Sequence, residues 1–310
     1  MPRRHAPRRR AGRRATGVRR RTTKRYQRTG RRTTSFRRNG RSKRSLLNTT
    51  STKKRDTMLT ISNTTNTGAV QPIATNGLYV AGTGYGYSLW CATARDLSIA
   101  SGAAGTVSQQ ATRSATTCYM VGLQEKLRIY TSTGSPWMWR RICFTSRDPV
   151  FKTAASGDTP SVTYAPYFDD TARGMSRLFL NQSVNSMGNT TSAINGVLFR
   201  GQYNTDWNDI LIAPTDNTRV DVKYDKYRQF RSGNANGLIK EINLFHPMGK
   251  NITYDDDEAG SVENTKYFSV TDKRGMGDYY VLDIFIPIPG ATVNDLISVT
   301  STSSLYWHEK

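Results

Sequence analysis

Apolar and polar residues alternate with a period of two along several stretches of this chain, the pattern of strands with one buried face. In 219–224, Val220, Val222 and Tyr224 oppose Arg219, Asp221 and Lys223. In 118–130, Tyr119, Val121, Leu123, Leu127 and Ile129 share a face that only Glu125 interrupts. In 279–290, read as the last strand, Tyr280, Leu282, Ile284, Ile286 and Ile288 form an apolar row opposite Tyr279, Val281, Asp283 and Phe285. Weaker strand patterns lie at 57–62, 86–93, 137–145, 195–203 and 238–245. The 137–145 segment, WMWRRICFT, shows no clean alternation, which fits a strand covered on both faces.

Turn-forming stretches rich in Gly, Ser, Asn and Asp separate these segments, for example 132–136, 232–237 and 255–261. No window of a dozen residues keeps a helical period, leaving room only for short helices near 170–180 and 291–297. About eight strands in one unit, with long loops, predict an all-β fold: a single jelly-roll antiparallel β-sandwich. There is no internal repeat.

Charge divides the chain sharply. Residues 1–55 hold 19 Arg and 4 Lys and no acidic residue, while the other 255 residues carry 22 basic and 23 acidic side chains. The protein is therefore a neutral body, 56–310, behind residues 1–55, a cationic arm at 1–44 and a polar linker at 45–55. A block of like charge buries nothing and works as an interaction tail. Pro2 and Pro7, and the lack of Leu, Ile or Phe in the first 25 residues, leave no amphipathic helix of the transit-peptide kind.

Little in the body points to catalysis. His5, His246 and His308 are the only histidines, and the glycine-rich GTGYGY at 82–87 leads into a strand pattern rather than a phosphate-binding helix. Cys91, Cys118 and Cys143 are far apart and odd in number, so buried free thiols are expected. No cofactor is expected. The acidic run Asp255–Glu258 offers oxygen ligands without the spacing of a calcium loop, and no metal site is assigned there. No apolar run is long enough for a membrane helix, so no membrane partner is expected.

The arm is the strongest chemical signal. Its candidate nucleic-acid-binding residues are Arg3, Arg4, Arg8, Arg9, Arg10, Arg13, Arg14, Arg19, Arg20, Arg21, Lys24, Arg25, Arg28, Arg31, Arg32, Arg37, Arg38, Arg41, Lys43 and Arg44, interleaved with Tyr26 and Phe36. Guanidinium forks match phosphate oxygens, and neutralised phosphates release counterions, so binding is salt-sensitive and sequence-independent. An aromatic ring stacked on an unpaired base adds ~1–3 kcal/mol. Stretched out, such an arm spans ~180 Å, a reach suited to a disordered polymer. Candidate nuclear-import clusters are Arg8-Arg9-Arg10, Arg19-Arg20-Arg21 and Lys53-Lys54-Arg55. Arg140 and Arg141 occupy opposite sides of one expected strand. At least one is expected at an interior surface or subunit interface, the alternative being that they reach out to solvent.

Three segments carry a family resemblance: STKKRDTM at 51–58, SPWMWRRICFT at 135–145 and YYVLDIFIPIPG at 279–290. Together they resemble the capsid proteins of genomoviruses, the gemycircularvirus group above all, and more distantly geminivirus coat proteins. The resemblance implies a non-enzymatic jelly-roll subunit. About 60 copies would close a T=1-like icosahedral shell around viral circular single-stranded DNA, with the arm inside. It also implies host nuclear import receptors as partners, and the virion and host nucleus as locations. The alternatives are a host nucleic-acid packaging or ribosomal protein with a basic tail, or a β-sandwich enzyme or lectin with a basic anchor.

Overall fold

The computed structural model describes residues 43–99 and 102–310. In chain order the elements are α1 (Lys43–Thr50), β1 (Thr52–Thr64), β2 (Val70–Ala74), β3 (Leu78–Ala81), β4 (Gly86–Cys91), β5 (Thr117–Thr131) and β6 (Trp137–Ser146). Short strands β7 (Asp169–Asp170), β8 (Gly174–Met175) and β9 (Arg177–Phe179) precede α2 (Gly188–Leu198). Then come β10 (Asp221–Phe230), β11 (Ile239–Thr253), β12 (Asp257–Ala259), β13 (Val262–Asn264), β14 (Asp278–Pro287) and β15 (Leu296–Glu309).

The fold is mostly β. A seven-stranded sheet runs β11-β5-β15-β1-β2, with β3 on β15 and β9 on β1; a four-stranded sheet runs β10-β6-β14-β4. All pairings are antiparallel except β1 with β9. The eight longest-paired strands nest: β1 pairs β15, β4 pairs β14, β5 pairs β11 and β6 pairs β10.

Packing explains which patterns were legible. Strands β4, β6 and β14 of the four-stranded sheet are buried on both faces, as the unpatterned tryptophan segment predicts, and only Met138 of β6 is partly exposed; the edge strand β10 is largely exposed. In β14 the row Tyr280, Leu282, Ile284 packs outward against Phe151, Ile194 and Leu198, while Tyr279, Val281 and Phe285 pack between the sheets. Trp139 stacks on Phe285 at 5.8 Å and on Phe230 at 5.9 Å.

Five sequence expectations change. The single face of β5 splits at a bulge: Gly122 pairs with Pro247 and Tyr306, and the next pairs step to Met120, skipping Val121. Below the bulge Cys118 and Met120 face inward and Tyr119 outward; beyond it Leu123, Leu127 and Ile129 face inward. A Cβ at Gly122 would lie 2.7 Å from the His246 carbonyl oxygen, so the strands close up only around glycine.

Of the strand expected at 195–203, residues 195–198 are instead the end of α2, and 199–203 are loop with isolated bridges at Phe199 and Tyr203. The helix buries Thr190, Thr191, Ile194 and Leu198, and the Asp158 carboxylate caps it by accepting the amides of Asn189 (2.9 Å) and Thr190 (2.7 Å). That cap comes from a distant loop, so no local signal marks the helix start. The short helices expected near 170–180 and 291–297 are the β7–β9 strands and a turn held by Asp295, whose carboxylate accepts the Thr292 amide at 2.7 Å.

The polar linker expected at 45–55 is α1 and the first residues of β1, so the body begins before Asp56. A final strand, β15, follows the one read as last. Its inward positions include Ser301 and Ser303, which hide the period-two signal behind small polar side chains.

Candidate nucleic-acid interface

β1, β15, β5 and β11 present one outward face of the large sheet. Register aligns Lys53, His308 and Tyr119 in one row and Arg55 with Tyr306 in the next. Thr57, Ser304, Gln124 and Phe245 form a third row, and Leu59, Thr302, Lys126 and Asn243 a fourth. A further row pairs Arg128 with Glu241, an exposed ion pair at 2.6 Å. The outward residues of these four strands thus carry Lys53, Arg55, Lys126 and Arg128 against one acid, Glu241.

Aromatic groups interleave with these cations. The Tyr119 and His308 rings are 6.0 Å apart, Tyr306 donates its hydroxyl to Gln124 at 3.0 Å, and Phe245 is 54% exposed. Burial and the neighbouring Lys53 lower the His308 pKa, so its ring is neutral at pH 7. Cations beside exposed π-faces are the combination of groups whose chemistry suits phosphates and unpaired bases. Helix α1 joins this face at Thr52, the corner where the arm attaches.

Residues Arg3 to Arg41 of the arm set, with Tyr26 and Phe36, and the clusters Arg8-Arg9-Arg10 and Arg19-Arg20-Arg21, lie outside the described residues. Lys43 and Arg44 open α1, and their side chains too lie outside. The third import candidate is corrected. Strand alternation turns Lys53 and Arg55 outward and Lys54 inward, where it is 2% exposed. The Lys54 amine sits 3.2 Å from Glu309 and donates to the Thr112 carbonyl (2.8 Å) and the Ser114 hydroxyl (2.9 Å). A receptor reading a contiguous basic run cannot reach it in the folded subunit.

Arg140 and Arg141 do lie on opposite sides of β6, and neither reaches solvent. Arg140 holds both Asp225 oxygens (2.9 and 2.6 Å) and the carbonyls of Ile210 and Ala213, tying the loop after α2 to the sheet. Arg141 points between the sheets. It binds both oxygens of Asp283 (2.7 and 3.0 Å) and also Glu125, while Arg177 bridges the same acids at 2.7 and 3.0 Å.

This buried square of two arginines and two carboxylates sits between two apolar slabs, with Ser303 and the Trp139 indole donating to it (3.2 and 2.9 Å). Burial disfavours ionisation of Glu125 and Asp283, but Arg141 and Arg177 outweigh it and hold both below the usual carboxylate range. His246 stands 3.8 Å from Glu125; burial and Arg141 depress its pKa to about 4, leaving it neutral.

Glu125 interrupting an apolar row, and Asp283 inside another, were the sequence signals of this cluster. Arg177 had none, because it lies on a three-residue strand. Lys126, Arg128, Tyr119 and Tyr306 were equally silent as a surface, since only register brings four strands' outward positions together.

The remaining candidates fall elsewhere. The acidic run is divided: Asp256 is held by Arg113, whereas Asp257 and Glu258 are exposed on β12. Among the described residues no three His, Cys, Asp or Glu side chains gather as metal ligands. All three cysteines are buried and free. A cleft of about 940 Å³ lined by Tyr85, Tyr203, Trp207 and Asn195 contains no basic residue, so it does not suit phosphate. The chain matches no protein-family model and no curated protein sequence.

Proposed function

We propose that this chain is a structural coat protein whose body is a jelly roll that self-assembles into a small closed shell around single-stranded DNA. The nested pairing of the long strands carries the reading. First pairs with last, second with seventh, third with sixth and fourth with fifth, the order that a long hairpin rolled into two sheets would give, which supports the jelly-roll reading. An acid-free arm of 19 Arg and 4 Lys over 55 residues, set on a neutral body, supplies the polyanion-binding part.

A T=1-like shell repeats that charge about 60 times, concentrating about 1,400 positive charges unless packaged polyanion neutralises them. Assembly and DNA uptake are therefore coupled. The genomovirus-like segments agree with this reading: two of them form β6 and β14 at the centre of the small sheet, and the third opens β1. Import through the two arm clusters completes the proposal. The basic-tailed packaging or ribosomal protein has no need of a neutral two-sheet body.

Electron microscopy of the purified chain with single-stranded DNA tests the proposal. Regular closed shells are expected; dispersed protein–DNA complexes without shells would overturn it. The sheet face makes a second expectation. K53Q/R55Q/K126Q in the full chain removes three exposed cations without touching the core. It should lower the slope of log affinity against log salt for a single-stranded oligonucleotide by about 2. An unchanged slope would place the body face outside the DNA contact.

A further inference from the structure

We propose that copies of this chain associate head to tail, the acidic ribbon β12–β13 of one copy docking on the basic free edge of β10 in the next. The inference rests on the shell reading, which needs distinct surfaces that repeat around closed rings.

Among the described residues β10 pairs only with β6, and its other edge offers open backbone groups. Lys226, Tyr227, Arg228 and Gln229 are exposed in succession, where a strand covered on one face would bury every second residue. Tyr227 is 42% exposed. Lys226, Arg228 and the following Arg231 have no ion-pair partner among the described residues.

The ribbon has the opposite character. Among the described residues its two three-residue strands pair only with each other, and they are exposed throughout, with Val262 66% exposed. Asp257, Glu258 and Glu263 also have no ion-pair partner among the described residues. Asp256 alone is engaged, by Arg113, which anchors the ribbon's base. A two-stranded ribbon is marginal by itself and gains from a third strand.

Like charges keep β10 from pairing with another β10, and a ribbon from pairing with another ribbon, so charge selects the heterologous contact. The two surfaces do not meet within one subunit. The ribbon's base pairs Asp255 with Phe268, beside the Asp278–Ser146 end of the small sheet. Lys226–Gln229 lie opposite Arg141–Met138, about 15–25 Å further along β6. Each copy thus has one free surface of either kind, the requirement for a ring or closed shell.

The test uses full-length chains. Equimolar E258C and R228C chains, mixed under mild oxidation at low salt, are expected to yield a heterotypic disulfide at least tenfold over either chain alone. D257K/E258K and K226E/R228E, all at exposed positions, should each cut shell yield about tenfold. Combining the four substitutions in one chain should restore yield to within about twofold. A missing heterotypic disulfide, unchanged yields, or a combined chain no better than its parents would each overturn the contact. The two readings separate cleanly. Shells without the disulfide remove this interface and leave the shell; the disulfide without shells does the reverse.

Discussion

Deleting residues 1–44 is expected to leave a folded body that retains almost no DNA. The deleted stretch carries 18 Arg and 2 Lys and stops short of β1, whose pairing with β15 begins at Thr52 and Glu309. If about ten of those charges neutralise phosphates, log affinity for single strands falls with log salt at a slope of about −7. The body face alone, with four cations and one acid, supports a slope of about −2 to −3. Affinity for a single-stranded oligonucleotide should therefore drop at least about 1,000-fold at low salt, while circular dichroism and melting stay close to those of the full chain. Recovery of normally DNA-filled particles from the truncated chain would refute the role of the arm.

The boundary matters. Deleting 1–55 instead removes four residues of β1 and the Lys54 amine, leaving the Glu309 carboxylate without its nearby buried cation. That longer truncation should express as a destabilised body. The two deletions together separate loss of DNA contact from loss of fold.

The second large effect lies in the core. Arg141→Met should destabilise the body by about 3–5 kcal/mol, because it leaves Glu125 and Asp283 buried with Arg177 as their only guanidinium. Denaturant unfolding of the arm-deleted body measures this directly. A loss below about 1 kcal/mol would mean that the carboxylates find other compensation.

The same cluster sets a pH dependence. Glu125 and Asp283 have depressed pKa values in the folded protein, so their stabilisation is complete above the unfolded carboxylate pKa. It is lost as pH falls through the folded values. His246 stays neutral in the fold down to about pH 4, while the unfolded chain takes up its proton near 6.5. Stability should thus begin to fall below about pH 6.5, through His246 and also His308, whose pKa is lowered too, and fall further below the unfolded carboxylate pKa. H246F should flatten the first part of that decline, between 6.5 and the carboxylate range, and leave the second.

Legibility followed burial chemistry. Strands β5, β6, β10, β11 and β14 were readable because their inward positions are apolar, or because both faces are. β15 and the start of β1 were not, because Ser301, Ser303, Lys54 and Asp56 occupy inward positions and find polar partners there. Alternation read from hydrophobicity fails wherever a buried position is filled by a satisfied polar group. Helix α2 escaped for a related reason, since its cap is donated by Asp158 across the fold.

The sequence by itself determined the all-β character, the buried tryptophan strand and the separation of a cationic arm from a neutral body. Each of these is a local property of composition or period. Only the tertiary structure decided what the charges of the body do. Arg140 and Arg141 close on carboxylates from strands distant in sequence, Lys54 turns into the core, and Lys53, Arg55, Lys126 and Arg128 share one face. Sheet register sets those relations, pairing residues as far apart as Thr52 and Glu309. A single chain read in order carries no direct record of which distant strands will lie side by side.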